Sequence, residues 1–296
     1  MIFVSTTYPR QKKSNLEKVL NQLNRLQIDG IEIGSTHKYE TKKNLKKIIK
    51  NNKKKMLYVH NFFPPSKDDK FVINIASTNK SIKKNSLDMI ISNIDFCKDI
   101  GARLYTIHPG FLSQPVPKTD FIKNNYDFDF DKNHVSNKSV AFENMVKSLK
   151  KIINYANKKK IKIAIETEGS NKKKNYLIMQ EPNEYKRLFK EIPRNLFINL
   201  NLSHTYFASN YLKFSMKSFI KFFHNYIVAI EISDNDGFND QHKPLFTQSK
   251  YLPYLNLFKK RIPVILEFRN AKLSDIKNSI KLLQNHNEKK PNYIKQ

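Results

Sequence analysis

Short apolar runs alternate along the chain with segments in which apolar residues recur at helical spacing. Each run is four to seven residues long and rich in β-branched side chains, as expected for buried strands. Leu87, Ile90, Ile94 and Cys97 illustrate the helical spacing between the runs. Eight strand–helix repeats predict a single (β/α)8 TIM barrel over residues 1–285. The predicted strands are residues 2–6, 31–34, 56–60, 104–108, 161–166, 196–201, 227–233 and 262–268.

Local signals indicate several helix boundaries. Ser14 and Glu17 have the spacing of a capping box, and Pro182 suits the first turn of a helix. The segment 211–223 has a helical pattern, and a weaker pattern covers 251–260. We therefore expect helices to start near residues 15 and 182 and to occupy these two segments.

Two segments break the strand–helix rhythm. Residues 111–138 show no clear period and contain Pro115 and Pro117. An irregular segment of this length predicts either an active-site lid or an unstructured insertion. Residues 286–296 are polar and basic, which predicts a frayed tail.

The chain is strongly basic, with 54 Lys and Arg against 26 Asp and Glu and a formal net charge of +28. The lysines are spread along the chain, and runs such as 53–55 and 158–160 lie at predicted helix ends. Positive charges at the C-terminal ends of helices interact favourably with the helix dipole. The lysines are therefore consistent with compositional drift or with a surface that attracts anions. We expect weak, non-specific binding to nucleic acid.

Cys97 is the single cysteine, so no disulfide can form within the chain. The first residues lack a signal-peptide pattern, and no apolar run approaches the length of a membrane span. These features predict a cytoplasmic protein without a membrane partner. They leave open whether the protein forms a homo-oligomer.

Six predicted strands end in side chains that bind metals or transfer protons. Because the carboxyl ends of barrel strands surround one pocket, these side chains should meet there. Imidazole and carboxylate together suit a divalent metal such as Zn²⁺, Mn²⁺ or Co²⁺. The six residues are His60, His108, Glu166, His204, Glu231 and Glu267.

Simpler interpretations exist for individual residues. Glu267 could pair with Arg269 on the same strand face, and a lone histidine is often structural. Asn201 and His204 have N-x-x-H spacing, and Asp240 and His242 have D-x-H spacing in a loop. The agreement of six strand ends favours one shared site.

The strand-end motifs resemble those of the xylose-isomerase-like TIM barrels, which include sugar isomerases, sugar epimerases and the endonuclease IV family. The motifs are HPG at 108–110, IETEG around Glu166, NLSH at 201–204, EISDNDG with DQH within 231–242, and LEF at 266–268. The resemblance implies a divalent metal held by Glu166, Asn201, Glu231 and Glu267. Asn201 replaces an aspartate of the family and Glu231 replaces a histidine. An oxygen-only ligand set favours Mn²⁺ or Mg²⁺, with Zn²⁺ or Co²⁺ as alternatives.

The resemblance to endonuclease IV implies further metal ligands. They are His60 and His108 with the shared Glu166, and His204 with Asp240 and His242. However, Asn201 and Glu231, which differ from the family, are both implied ligands of the central metal. The glycine-rich stretch of that family is also altered, at 243–248.

The resemblance implies a sugar or sugar-phosphate isomerase or epimerase as the main functional hypothesis. Glu166 and Glu267 would exchange a proton with the substrate through an enediolate, and His108 and His204 would hold its hydroxyls. The alternatives are a zinc phosphodiesterase acting on abasic DNA and a non-catalytic barrel. Metal content separates the three hypotheses. The isomerase predicts one oxygen-rich site, the phosphodiesterase predicts two or three sites with histidine, and the non-catalytic barrel predicts no tight metal.

Overall fold

Eight parallel strands within the described residues close into a barrel, which confirms the predicted fold. The computed structural model describes residues 1–9, 14–35, 37–54, 56–67, 71–116, 129–169, 176–237, 239–258 and 262–288. The barrel strands are β1 (Ile2–Ser5), β2 (Gly30–Ile33), β3 (Met56–His60), β4 (Leu104–Ile107), β7 (Lys162–Glu166), β8 (Leu196–Asn201), β9 (Ile227–Ile232) and β10 (Val264–Leu266). Around the barrel their order is β1-β10-β9-β8-β7-β4-β3-β2.

Helices follow the strands and cover the outside of the barrel, where most of the apolar core lies. They are α1 (Leu16–Leu23), α2 (Lys42–Lys50), α3 (Lys80–Ile100), α4 (Lys138–Lys159), α5 (Pro182–Glu191), α6 (Leu202–Leu212), α7 (Met216–Phe223) and α8 (Leu273–Glu288), with a 3₁₀ helix at Leu252–Leu257. No helix among the described residues is long and apolar enough to cross a membrane.

A second, smaller core fills the N-terminal part of the barrel interior. Phe3 belongs to it and packs against Tyr58, with 4.8 Å between the ring centroids and an angle of 43° between the ring planes. Gly30 leaves room for the Phe3 ring, because any side chain at this position would overlap it. The apolar floor thus closes one end of the barrel and leaves the C-terminal end to the polar side chains.

The structure corrects two predicted helix boundaries. The first helix is capped by Asn15, whose side chain accepts from the backbone N–H of Lys18, whereas Ser14 bonds to His37. The segment predicted as one helix at 211–223 belongs to two: α6 begins directly after β8, and α7 follows at Met216. Pro182 opens α5 as predicted, and a 3₁₀ helix lies within the predicted segment 251–260.

The described part of the irregular segment 111–138 contains a small two-stranded sheet. Strand β5 (Pro115–Val116) pairs antiparallel with β6 (Asp129–Phe130), and α4 begins at Lys138. Residues 117–128 and 289–296 lie outside the described residues. The lid and the frayed tail therefore stay predictions.

Candidate metal centre

The predicted site residues lie together at the C-terminal end of the barrel. His60, Glu166 and Glu231 are on β3, β7 and β9, while His108 and Glu267 directly follow β4 and β10. The predicted strand 196–201 is confirmed as β8, but His204 is not at its end and lies in the first turn of α6. The three glutamates are at most 3% exposed.

Glu166 lies between three imidazole rings. Its carboxylate oxygens are 2.7 Å from His60 Nε2, 3.2 Å from His204 Nδ1 and 3.5 Å from His108 Nε2. Burial by itself would raise the pKa of Glu166, but the neighbouring histidines, His108 foremost, hold it well below its ordinary value. Burial would likewise lower the pKa of His60, yet Glu166 raises it to about 9. Without metal, Glu166 is therefore an anion facing protonated histidine.

Asp240 bridges the other two histidines of the site. Its oxygens are 3.3 Å from His204 Nε2 and 2.9 Å from His242 Nε2. Against the effect of burial, Asp240 raises the pKa of His204 well above 6.5 and that of His242 to about 9. The reciprocal interaction lowers the pKa of Asp240.

Backbone pairing fixes the loop that carries Asp240 and His242. The backbone N–H groups of Asp234 and Lys243 each donate to the carbonyl oxygen of the other residue, at 2.7 and 2.9 Å. Ser249 donates its hydroxyl hydrogen to the Asp234 carboxylate. The D-x-H motif therefore lies on a closed loop and has a defined position beside Glu267, whose Oε2 is 3.3 Å from His242 Nδ1.

Asn201 and Asn199 donate to the carboxylates at the centre of the site. Asn201 Nδ2 is 3.0 Å from Glu166 Oε1, 3.1 Å from Glu231 Oε2 and 3.3 Å from Glu267 Oε2. Asn199 Nδ2 is 2.5 Å from Glu231 Oε1. Burial, followed by repulsion from Glu166, raises the pKa of Glu231 well above its ordinary value. A cation would relieve that repulsion.

Three sets of the described residues have a geometry that could hold a metal ion, and within each set the ligand atoms lie within 4.8 Å of one another. Ligand atoms on one ion, at bonds of about 2.0–2.2 Å, are at most about 4.4 Å apart. Small side-chain movements would therefore bring each set to the spacing that one bound ion requires. We name the sets the first histidine group (His60, His108, Glu166), the second histidine group (His204, Asp240, His242) and the carboxylate group (Glu166, Glu231, Glu267).

The donor atoms of the three groups suit different ions. Both histidine groups combine imidazole with carboxylate, as Zn²⁺ and Co²⁺ sites do. The carboxylate group offers oxygen alone, which suits Mn²⁺ or Mg²⁺. Asn201 presents its amide nitrogen to the carboxylate group, so its role as a metal ligand stays a prediction.

Two buried glutamates of the site were not among the predicted residues. Glu168 Oε1 lies 2.5 Å from His108 Nδ1 and orients that ring, in the way carboxylates orient metal-binding histidines. Glu32, on β2, is fully buried beside Glu231 and Ser5, and neither of its oxygens makes a well-formed hydrogen bond. Burial raises its pKa. The sequence did contain a signal for Glu32, because a charged residue lies there between two isoleucines of a short strand.

Arg269 forms the ion pair that the sequence offered as a simpler role for Glu267. Its Nη2 lies 3.4 Å from Glu267 Oε1, while Glu267 Oε2 faces His242 and Asn201. The two interpretations of Glu267 are therefore compatible. His37, which the prediction left out, bonds to Ser14 and Thr6 and belongs to none of the three groups.

Comparison with known structures gives the same fold. A D-tagatose 3-epimerase-like protein superposes with a TM-score of 0.71 at 20% identity, covering 97% of each chain. D-psicose 3-epimerase from Clostridium cellulolyticum H10, in a structure with D-tagatose, has a TM-score of 0.64 at 14% identity, covering 96% of this chain and 94% of that one.

Sequence comparison adds a relative and a family. An uncharacterized protein of Methanocaldococcus jannaschii, MJ1614, is 24% identical over 212 residues, which are 69% of each chain. The family described as "Xylose isomerase-like TIM barrel" matches residues 20–286. This match spans nearly all of the barrel and the three groups at its C-terminal end. The chain belongs to the xylose isomerase-like TIM barrel family.

Proposed function

We propose that the protein is a divalent-metal-dependent isomerase or epimerase of a sugar or sugar phosphate. The observation that carries the proposal is the pairing of Glu166 and Glu267. These carboxylates come from different sides of the barrel mouth, yet their oxygens lie within 4.8 Å of each other and of Glu231. The likeness to sugar epimerases in fold supports this substrate class.

Both carboxylates are ionised at neutral pH, as a proton acceptor or metal ligand must be. The pKa of Glu267 is about 2, because His242 and Arg269 outweigh the effect of burial, and that of Glu166 is also low. We propose that the carboxylate group holds the ion, which would polarise a sugar carbonyl and an adjacent hydroxyl.

The protein's own residues would carry out the proton transfer. Glu166 or Glu267 would take the proton from the carbon beside the carbonyl, giving an enediolate. The other glutamate would take up a proton from solvent and return it to the substrate, and the first would release its proton to solvent. The proton removed and the proton returned balance, so no further reactant is required. His108 and His204 lie 3.5 and 3.2 Å from Glu166 and would hold substrate hydroxyls.

Solvent exchange tests this proposal directly. Ketohexoses and their phosphates would be incubated with the Mn²⁺-loaded protein in D₂O and followed by NMR. We expect deuterium at the carbon beside the carbonyl, together with the epimer or isomer. Glu267→Gln should abolish the exchange, whereas Glu143→Gln, an exposed change on α4, should not. The absence of deuterium exchange with every sugar tested would contradict the proposal.

The two histidine groups favour a second candidate, a phosphodiesterase with more than one metal. The isomerase proposed above uses only the ion of the carboxylate group, and ions in the two histidine groups would suit hydrolysis of a phosphodiester such as abasic DNA. Elemental analysis and an abasic-duplex assay separate the candidates. Two or three zinc ions per chain and cleavage that His108→Ala abolishes would replace the isomerase proposal with this one. A protein that binds no metal at any of the three groups would favour the non-catalytic barrel.

A further inference from the structure

We infer that Asn201 makes the carboxylate group a weak, exchangeable metal site, because its amide is held in the orientation that cannot bind metal. The inference rests on the proposed function, since it concerns the same ion.

One end of the Asn201 side chain caps a helix. Asn201 is the last residue of β8 and the N-cap of α6, with no loop between the two elements. Its Oδ1 accepts a hydrogen bond of 3.2 Å from the backbone N–H of His204. N-cap bonds of this kind satisfy donors that the helix itself cannot.

The other end faces the carboxylate group. Nδ2 lies 3.0–3.3 Å from one oxygen each of Glu166, Glu231 and Glu267. Ligand atoms around one ion with bonds of about 2.0–2.2 Å are about 3.0–3.6 Å apart. The amide nitrogen therefore occupies the position of a fourth ligand atom. It cannot serve as one, because an amide binds metals through its oxygen and the NH₂ group is a donor only.

Rotation of the amide by half a turn would bring the oxygen to the ion at a cost. The NH₂ group would then face the backbone N–H of His204, donor against donor, and the helix cap would be lost. An aspartate would avoid this conflict, since it has an oxygen at both ends and could cap α6 and bind the ion together. Asn201 thus deprives the ion of one ligand and one negative charge.

The neighbouring Asn199 provides a matched control. It lies two residues earlier on β8 and also donates to Glu231, but its other partner is the Thr106 hydroxyl and it caps no helix. Asn199→Asp adds the same charge beside the same carboxylate without supplying the fourth ligand. If the added charge alone changes metal affinity, both variants should show the change. If the position of the ligand atom matters, only Asn201→Asp should show it.

The test is Mn²⁺ binding to the wild type, Asn201→Asp and Asn199→Asp, measured by equilibrium dialysis and electron paramagnetic resonance without sugar. For Asn201→Asp we expect the weakest Mn²⁺ site to tighten by more than about tenfold, the size of effect that metal-site side chains have. The tighter sites should keep their affinities, and Asn199→Asp should not reproduce the gain.

Three results would overturn the inference. They are an unchanged weakest site in Asn201→Asp, an equal gain in Asn199→Asp, and a wild type whose Mn²⁺ sites are all equally tight. The wild-type titration decides the matter even if a variant fails to fold. Since no substrate is present, failure of the proposed isomerase activity would show separately, as the absence of solvent exchange.

Discussion

Replacing Glu166 with glutamine should damage the site more than any other single change of a carboxylate. Glu166 belongs to both the first histidine group and the carboxylate group, whereas Glu267 belongs to the carboxylate group alone. Glu166→Gln keeps the shape of the side chain and removes its charge. We expect it to weaken two metal positions, while Glu267→Gln weakens one.

The effect on stability follows from the contact with His60. The 2.7 Å pair is almost completely buried, with side-chain exposures of 7% and 1%. Removing one partner of a buried ion pair costs about 3–5 kcal/mol. For a chain of 296 residues, this corresponds to a fall in Tm of about 5–8 °C. Glu267 has longer contacts, at 3.3 and 3.4 Å, so its replacement should cost less.

The assay compares thermal unfolding of chelated wild type, Glu166→Gln and Glu267→Gln, followed by elemental analysis after metal reloading. Glu143→Gln on the surface of α4 serves as the control for loss of one carboxylate. If Glu166→Gln unfolds at the wild-type temperature, or keeps as much metal as Glu267→Gln, then Glu166 does not connect the first histidine group to the carboxylate group.

Three further predictions address charge and orientation. Folding without metal raises the pKa of His60 and of His242 from 6.5 to about 9. Protonation of these histidines therefore stabilises the fold below pH 6.5, and this contribution is lost as the pH rises through 9. The Tm of chelated protein should therefore fall from pH 6.5 to 9, whereas metal affinity, which requires loss of these protons, should rise; parallel trends would refute this. Glu168→Gln should weaken metal binding about 10–100-fold by releasing His108, and unchanged affinity in dialysis would rule out this orienting role. Binding to duplex DNA should be weak and decline steeply with salt in a filter-binding assay, and sequence preference would argue against a merely basic surface.

The sequence predicted the barrel well, because strand length and helical spacing are local properties. It also placed five of the six strand-end residues correctly, since the end of a short apolar run is visible in the chain. The strand 196–201 was also predicted correctly, but His204 lies past its end because α6 follows β8 without a turn. Several residues in the first turns of this helix are buried, so a one-sided apolar pattern is missing.

Two features of the site depend on spatial relations that a single sequence does not contain. Glu32 is buried beside Glu231 and Ser5, which come from other strands, and it lies at mid-strand rather than at a strand end. The orientation of the Asn201 amide depends on three carboxylates from three other strands and on a backbone N–H of α6. The sequence indicated Asn201 as a departure from its family but not which atom it presents.

The ion pairs within the three groups have a consequence for the order of events in the cell. Each proposed ligand has a hydrogen bond or ion pair to another residue of the site, as His60 has with Glu166 and His242 with Asp240. Small zinc domains, by contrast, remain unfolded until metal arrives. We expect this chain to fold during synthesis whatever the metal supply. Metal starvation should then leave a stock of folded, inactive protein that regains activity on resupply without new translation.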